Sequence, residues 1–160
     1  MTAPTVRKAV ASDEPAIRAL IVALADYEKL ARPTPEARAR LMRDMFGPRP
    51  RIDCFLAFLD GYPVGYAIIL ETYSSFLALP TLYLEDLFIL DEYRKRGVGK
   101  ALFAKALDEA KLRGCGRMEW TVLDWNQLAI DFYQKLGGTH MVEWQLYRIC
   151  LPVASLKEGV

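Results

Sequence analysis

The Asp60-Gly61 dipeptide constrains the fold of this chain more than any other feature of its sequence. It joins two runs rich in β-branched and aromatic residues, within the segment IDCFLAFLDGYPVGYAIILETY at residues 52–73. Asp-Gly suits the central pair of a tight hairpin turn, where both residues need a positive φ. A third β-rich run, LYLEDLFIL at residues 82–90, follows the loop-like SSFLALPT. The sequence therefore predicts a β-hairpin and a third strand within one sheet.

Helical patterns lie on both sides of these strands. The first helix is predicted after a cap at Ser12 or Asp13, and the second begins at Thr34-Pro35. Later, RGVGKALFAKALDEAKLRG and NQLAIDFYQKLG indicate helices, whereas TVRKAV, RMEWTVL and HMVEWQLYRICL indicate strands. The order β-α-α-β-β-β-α-β-α-β predicts an α+β (mixed α/β) single domain over residues 1–160, with a short loose tail from about Val153.

Charge and composition exclude several classes of protein. Lys and Arg number 21 against 20 for Asp and Glu, so no global basic field indicates a nucleic-acid partner. No stretch approaches the roughly 18 apolar residues of a membrane span, and the N-terminus lacks the apolar core of a signal peptide. With three scattered cysteines and a single histidine, His140, no metal site is expected. We expect a cytoplasmic protein with reduced thiols.

The segment RKRGVGKAL, residues 94–102, takes the chain from a strand through two glycines into a helix. Backbone N–H groups at a helix start have no intrahelical partner and lie at the positive end of the helix dipole, so they attract phosphate. Gly97 and Gly99 remove side chains that would keep a phosphate from that backbone. Four basic residues surround them: Arg94, Lys95, Arg96 and Lys100. The segment favours a polyanion, although a glycine turn with solvated basic residues is the alternative.

The run RKRGVG resembles the (Q/R)xxGx(G/A) acetyl-CoA motif of the GNAT superfamily of N-acetyltransferases. The similarity continues in LYLEDLFILDEYRKRGVG, WTVLDWNQLAIDFYQKLGG and EWQLYRI, which resemble the diamine branch, the spermidine/spermine or thialysine acetyltransferases. It covers residues 5–150 in element order and Tyr83 to Tyr147 closely. The resemblance implies a mostly antiparallel, twisted sheet of six to seven strands, splayed between strands 4 and 5 and flanked by about four helices.

The resemblance also implies where acetyl-CoA binds. The backbone of Leu87, Phe88 and Ile89 would pair with the pantetheine arm. The motif loop would hold the pyrophosphate through Arg94, Lys95, Arg96, Gly97, Val98, Gly99 and Lys100. Asn126 and Ala129 match a further segment that contacts the cofactor in the family, and Tyr133 follows it.

Two residues match the family's catalytic positions. Tyr133 corresponds to the tyrosine that acts as general acid toward the departing thiolate, and a phenol with a pKa near 10 suits that task. Glu85 corresponds to the carboxylate that takes the proton of the amine. The alternatives are an apolar packing role for Tyr133 and a structural ion pair for Glu85. None of the cysteines has a histidine nearby in sequence, so direct attack is favoured over an acetyl-cysteine route.

Strand alternation predicts that Glu85 and Asp86 face opposite sides of the sheet, Glu85 with Tyr83, Leu87 and Ile89, and Asp86 with Leu84 and Phe88. Glu85 is therefore the stronger candidate for the site. For Asp86 the alternative is a purely structural role. The resemblance implies that the amine is bound by Tyr27, Glu28, Glu85, Asp86, Glu143 and Trp144.

Two segments depart from the polyamine enzymes. Residues 31–51 contain six arginines against Glu36 and Asp44, where the polyamine branch is acidic, and Ser74-Ser75-Phe76 replaces the family's DPW segment. Such a cluster disfavours a long polycation and suits a carboxylate, although a solvated basic face is the alternative. We expect a small primary amine as acceptor, an amino-acid-like amine with both amine and carboxylate or a diamine before a true polyamine, and a homodimer as in the branch. The alternatives are a protein or peptide N-acetyltransferase and a non-catalytic acyl-CoA sensor.

Overall fold

The computed structural model describes residues 2–153, which divide after Thr121 into two compact units. The strands are Thr5–Lys8 (β1), Asp53–Leu59 (β2), Tyr62–Ser74 (β3), Leu79–Ile89 (β4) and Arg117–Glu119 (β5). The helices are Glu14–Tyr27 (α1), Pro35–Phe46 (α2), Val98–Leu112 (α3) and Gln127–Lys135 (α4). The α+β class and the four helices are confirmed, whereas the described residues form five strands and not six or seven.

The predicted hairpin is present and joins β2 to β3. Asp60 and Gly61 both have positive φ, at 51° and 83°, as the tight turn requires. The sheet has the order β1-β2-β3-β4-β5, and its first three pairings are antiparallel. The loop expected at residues 74–81 is shorter than predicted, because residues 75–78 form a turn and β4 begins at Leu79.

One face of the sheet is covered by α1 and α2. The apolar period predicted for α1 buries Ile17 and Leu20 against the strands, and Met45 comes from α2. The sheet supplies Cys54 and Leu56 from β2, Tyr66 and Ile68 from β3, and Phe88 from β4. Thr34 caps α2 as expected, since its hydroxyl accepts a hydrogen bond from Ala37 N over 3.2 Å.

The fourth and fifth strands separate early, as the resemblance implies. They pair in parallel over Thr81–Tyr83 and Arg117–Glu119, and β5 then ends while β4 continues to Ile89. The strand predicted from RMEWTVL is therefore three residues long.

The last predicted strand, in HMVEWQLYRICL, is wrong for the described residues, which form no strand after Glu119. There Trp144 N donates to Met141 O over 3.1 Å in a local turn. β-propensity indicates which side chains suit a strand. A strand also needs a neighbouring strand with which its backbone N–H and C=O groups can pair. Residues 154–160 of the predicted tail lie outside the described part of the chain.

Candidate active site

The glycine motif forms the start of α3, as predicted. After β4, a short 3₁₀ turn over Asp91–Tyr93 leads to Gly97, the N-cap of α3, which has a φ of 82°. Lys95 is also left-handed, at 59°. A Cβ built on Gly97 meets nothing within 4 Å, so glycine is needed here for the backbone conformation and the space beside it is open.

Polarity at this helix start suits a phosphate. α3 has 15 residues and carries no acidic side chain in its first turn. Ala101 N donates to Gly97 O, which leaves the N–H groups of Val98, Gly99 and Lys100 without intrahelical acceptors. The chemistry of these donors, with Lys95, Arg96 and Lys100 beside them, fits the pyrophosphate of a coenzyme A thioester.

The side chain of Arg94 is held by the protein. Its Nε donates to Ile89 O over 3.1 Å, and its guanidinium forms an ion pair with Asp91. The guanidinium carbon lies 4.6 Å from the ring centre of Tyr27 and 5.8 Å from that of Phe88. Arg94 therefore connects the motif loop to the end of α1.

A β-bulge at Glu85 changes which residues of β4 share a face. Leu84 lies opposite Ile69 of β3, and Asp86 lies opposite Ile68, so Glu85 is the extra residue. Because Ile68 and Ile69 are consecutive and face opposite sides, Leu84 and Asp86 do so as well. The expectation that Asp86 shares a face with Leu84 is thus wrong. It rested on unbroken alternation, which the bulge interrupts.

Glu85 and Asp86 instead line one cleft of about 370 Å³. Five aliphatic side chains form its walls, and we call it the carboxylate cleft: Ile21, Leu41, Ile52, Ile68 and Leu70, with Glu85 and Asp86. The predicted separation of the two acids onto opposite faces is therefore also wrong. Glu85 is exposed, whereas Asp86 is partly buried.

Asp86 is held by Tyr66, a residue that sequence reasoning missed. The buried Tyr66 hydroxyl donates to Asp86 Oδ2 over 3.0 Å. Burial raises the pKa of Asp86 to about 6, the Tyr66 hydrogen bond acts against this rise, and the negative charges of Glu85 and Glu28 add to it. Burial also raises the pKa of Glu28. A tyrosine in an apolar strand needs a hydrogen-bond partner for its hydroxyl. The sequence does not identify that partner, because it depends on the register of the sheet.

Tyr27 and Glu28 lie at the end of α1 and belong to the same region of the first unit. The Tyr27 and Phe88 ring centres are 6.2 Å apart. Glu28 acts electrostatically on both Asp86 and Tyr66. The structure thus brings together four of the predicted acceptor residues, Tyr27, Glu28, Glu85 and Asp86, with the predicted arm-binding strand at Leu87–Ile89.

The remaining predicted residues belong to the second unit. Asn126 caps α4, because its Oδ1 accepts from Ala129 N over 3.2 Å. Tyr133 is half-buried, and its ring centre lies 5.3 Å from that of Phe132 in an edge-to-face contact. Glu143 and Trp144 are exposed in the irregular segment that follows α4.

Two of the three cysteines are poor nucleophiles. Burial raises the pKa of Cys54 to about 12, and burial also raises the pKa of Cys115. A thiol attacks as the thiolate, which these shifts disfavour. Residues 2–153 contain no cluster of three potential metal ligands and no helix able to span a membrane.

Comparison with known proteins identifies the family of the chain. Residues 21–138 match the acetyltransferase (GNAT) family. A thialysine N-epsilon-acetyltransferase of Bos taurus is 33% identical over 154 residues, covering 89% of this chain and 90% of the relative. An L-ornithine N5-acetyltransferase of Arabidopsis thaliana is 41% identical over 90 residues, 56% of this chain and 40% of the relative. The crystal structure of a probable acetyltransferase has a TM-score of 0.81 at 19% identity, covering 92% of this chain and 98% of that one.

Proposed function

The chain belongs to the acetyltransferase (GNAT) family, and on that premise we propose that it transfers the acetyl group of acetyl-CoA directly to a primary amine of a small molecule. The observation that carries this proposal is the bulge at Glu85. The bulge directs two carboxylates, Glu85 and Asp86, into the same cleft with apolar walls. This cleft lies where the segment Leu87–Ile89 begins. The thialysine and ornithine enzymes among its relatives act on small amines, which supports the same class here.

Acetyl-CoA would supply a thioester-activated acetyl group. Gly97, Val98, Gly99 and Lys100 would hold its pyrophosphate through the open backbone at the start of α3, with charge from Lys95 and Arg96. The backbone of Leu87, Phe88 and Ile89 would pair with the pantetheine arm, and Asn126 and Ala129 would extend the cofactor site. Arg94 would act through its contacts with Ile89 and Tyr27.

Glu85 would act as the general base. An amine reaches the site mostly as ammonium, and it must lose a proton before its nitrogen can attack a carbonyl carbon. The exposed Glu85 carboxylate would take that proton, either directly or through water. Tyr27, Glu28, Asp86, Glu143 and Trp144 would bind the amine around it.

Tyr133 would act as the general acid. As the new C–N bond forms and the C–S bond breaks, the phenol would give its proton to the leaving sulfur, whose basicity is similar to its own. The proton that Glu85 took from the ammonium passes to solvent, and the second N–H proton of the amine replaces the one that Tyr133 gave to sulfur, so the products are an amide, a free thiol and one proton in solution.

Two further properties belong to this proposal. The segment after α4 exposes eight apolar side chains, which favours a homodimer: Met141, Val142, Trp144, Leu146, Tyr147, Ile149, Leu151 and Val153. Sedimentation equilibrium tests the homodimer.

The cysteines agree with a cytoplasmic protein, because Cys54, Cys115 and Cys150 are free thiols. Fractionation of the source cells tests this location.

Release of free thiol from acetyl-CoA tests the activity. Purified protein is incubated with acetyl-CoA, a thiol reagent and a panel of small amines, amino acids and peptides. We expect thiol release with small primary amines. Transfer to peptides alone would indicate a protein acetyltransferase. Binding of acetyl-CoA without release in the presence of any amine would indicate a non-catalytic sensor, and either outcome would overturn the proposal.

A further inference from the structure

The carboxylate of Asp86 is bonded on one side by a residue that lies outside the cleft. Asp86 lines the carboxylate cleft, whereas Tyr66 does not. The Tyr66 hydroxyl donates to Oδ2 over 3.0 Å, and no other group of residues 2–153 forms a hydrogen bond or ion pair with this carboxylate. We propose that Tyr66 is a positioning residue of the amine site, which holds Asp86 so that its second oxygen receives the ammonium of the acceptor. This inference rests on the function proposed above.

The position of the Tyr66 hydroxyl is fixed by the core. Tyr66 is fully buried on β3, and its ring centre lies 6.5 Å from that of Phe88. In the register Tyr66 lies opposite Phe88, and Ile68 lies opposite Asp86, so Tyr66 and Asp86 are diagonal neighbours on one face of the sheet. A ring that is already packed loses little further freedom when its hydroxyl binds Asp86. The Asp86 carboxylate is therefore attached to a rigid part of the sheet.

Within the part of the chain that the structure describes, no cation pairs with Asp86. Glu85 precedes it on β4, and Glu28, at the end of α1, acts on it electrostatically. On β2, burial raises the pKa of Cys54 to about 12, so this thiol stays neutral. The guanidinium of Arg94 is paired within its own loop. A partly buried carboxylate without a counter-ion is costly, and the ammonium of a bound amine would supply the missing charge.

The Tyr66 hydrogen bond also affects the charge of Asp86. Burial and the negative charges of Glu85 and Glu28 raise the pKa of Asp86 to about 6, and the hydrogen bond from Tyr66 opposes this rise. Without the hydroxyl the pKa should rise further, and less of Asp86 would be ionised near neutral pH. Tyr66 thus controls both the direction and the charge of the carboxylate, although it does not line the cleft itself.

Tyr66→Phe tests the inference, because it removes one hydroxyl and keeps the buried ring. Thiol release is measured with 1,5-diaminopentane, L-lysine and 2-phenylethylamine, and the amine with the highest wild-type kcat/KM is used for all variants. We expect KM for this amine to rise at least about fivefold at pH 6.5, with kcat within about threefold and KM for acetyl-CoA within about twofold. Tyr73→Phe, at an exposed tyrosine of the same strand, should leave all three values unchanged. An unchanged amine KM in Tyr66→Phe would overturn the inference.

The pH dependence distinguishes positioning from a general loss of packing. The ratio of amine KM between Tyr66→Phe and wild type should fall at least about twofold from pH 6.5 to pH 9, because Asp86 is ionised in both proteins at the higher pH. A constant ratio would indicate a packing defect and contradict the proposal.

A double-mutant cycle tests whether Tyr66 acts through Asp86. In the Asp86→Asn background, Tyr66→Phe should change the amine KM by less than about twofold, since the effects of two residues in one interaction are not additive. Equal effects of Tyr66→Phe in the two backgrounds would show that it acts elsewhere and would refute the inference.

A second variant keeps the test decisive if Tyr66→Phe does not fold. Asp86→Glu retains the charge and shifts it by one methylene group relative to the hydroxyl, so the amine KM should rise at least about fivefold. A wild-type amine KM in Asp86→Glu would rule out the positioning role. Wild-type activity with an unaltered Tyr66→Phe would remove this inference alone, whereas a wild-type protein that releases thiol with none of the three amines would remove the proposed function as well.

Discussion

The guanidinium carbon of Arg94 lies 4.6 Å from the ring centre of Tyr27. This contact joins the first residue of the glycine motif to the last residue of α1. A cation over an aromatic face contributes about 0.5–2 kcal/mol, depending on how far it is desolvated. The cofactor loop and the proposed amine site therefore share a structural element.

Replacing Arg94 by methionine should disturb both substrates. The variant loses the cation over Tyr27 and the hydrogen bond to Ile89 O. We expect KM to rise for the amine as well as for acetyl-CoA, by roughly three- to tenfold each. Arg94→Lys, which keeps the charge, should recover part of the amine KM. Steady-state kinetics with each substrate varied in turn gives both values.

Lys95→Met is the matched control, because Lys95 is an exposed residue of the same loop. It should raise KM for acetyl-CoA alone. If Arg94→Met behaves in the same way, Arg94 is a phosphate ligand only and its contact with Tyr27 has no role in amine binding.

Glu85→Gln should abolish most of the catalysis while keeping the shape of the bulge. We expect kcat to fall by about a hundredfold or more, since a general base contributes about 10²–10⁴. Acetyl-CoA affinity should remain within about twofold, because the proposed pyrophosphate site lies at the start of α3. Rates from pH 6 to 10 should show a flattened profile in the variant. An unchanged profile would rule out Glu85 as the base.

Tyr133→Phe keeps the ring and removes the proton donor. We expect kcat to fall by roughly a hundredfold with little change in acetyl-CoA affinity, and the loss of rate at high pH should disappear. Tyr62→Phe is the control, because Tyr62 is an exposed tyrosine with no part in the proposed site or interface. Equal effects of the two substitutions would remove the assignment of Tyr133 as the acid.

Replacing each of the two motif glycines by alanine should distinguish an effect on backbone conformation from an effect on cofactor binding. Gly97 has a φ of 82°, so Gly97→Ala should lower the free energy of unfolding by roughly 1–2 kcal/mol. Gly99 lies within α3, where alanine is the better helix former, so Gly99→Ala should not destabilise the fold. Both should weaken acetyl-CoA binding in titration calorimetry. Wild-type affinity in Gly99→Ala would show that the cradle does not require this glycine.

Asp86→Asn should change how stability depends on pH. The pKa of Asp86 is raised from 3.8 to about 6, so between those values the folded chain holds a proton that the unfolded chain has released. Its contribution to the free energy of unfolding therefore falls as pH rises through this window. The stability of the variant relative to the wild type should grow by about 2 kcal/mol from pH 4 to pH 7.

Urea unfolding at several pH values measures this difference, with Asp108→Asn as a control for loss of an exposed carboxyl. A difference that is constant with pH would mean that Asp86 ionises equally in the folded and unfolded chains.

Local signals in the sequence predicted most of the fold. Asp60-Gly61 identified the hairpin, Thr34 the start of α2, and Gly97 the entry to α3, because each acts on its immediate neighbours. The region from residue 139 onward could not be predicted in this way. Its alternating side chains suit a strand, but pairing depends on a partner that the local sequence does not identify.

The residues of the candidate site could be predicted where a motif identifies them. They could not be predicted where the register of the sheet determines which residues share a face. Glu85 and Asp86 were identified as a pair, but strand alternation alone assigned them to opposite faces. Likewise, the contacts of Tyr66 with Asp86 and of Arg94 with Tyr27 span 20 and 67 positions in the chain. Such pairings arise only from the packed sheet.

The extra residue at Glu85 also makes the site separable from the sheet that carries it. Removing it would take away one carboxylate, and it would also restore an unbroken pleat between Leu84 and Asp86. Since Leu84 and Asp86 already face opposite sides, the shortened strand would keep Leu84, Asp86 and Phe88 on their present faces. We expect such a deletion to preserve the sheet and to leave Asp86 as the one acid of the carboxylate cleft, so the extra residue serves the site and not the fold.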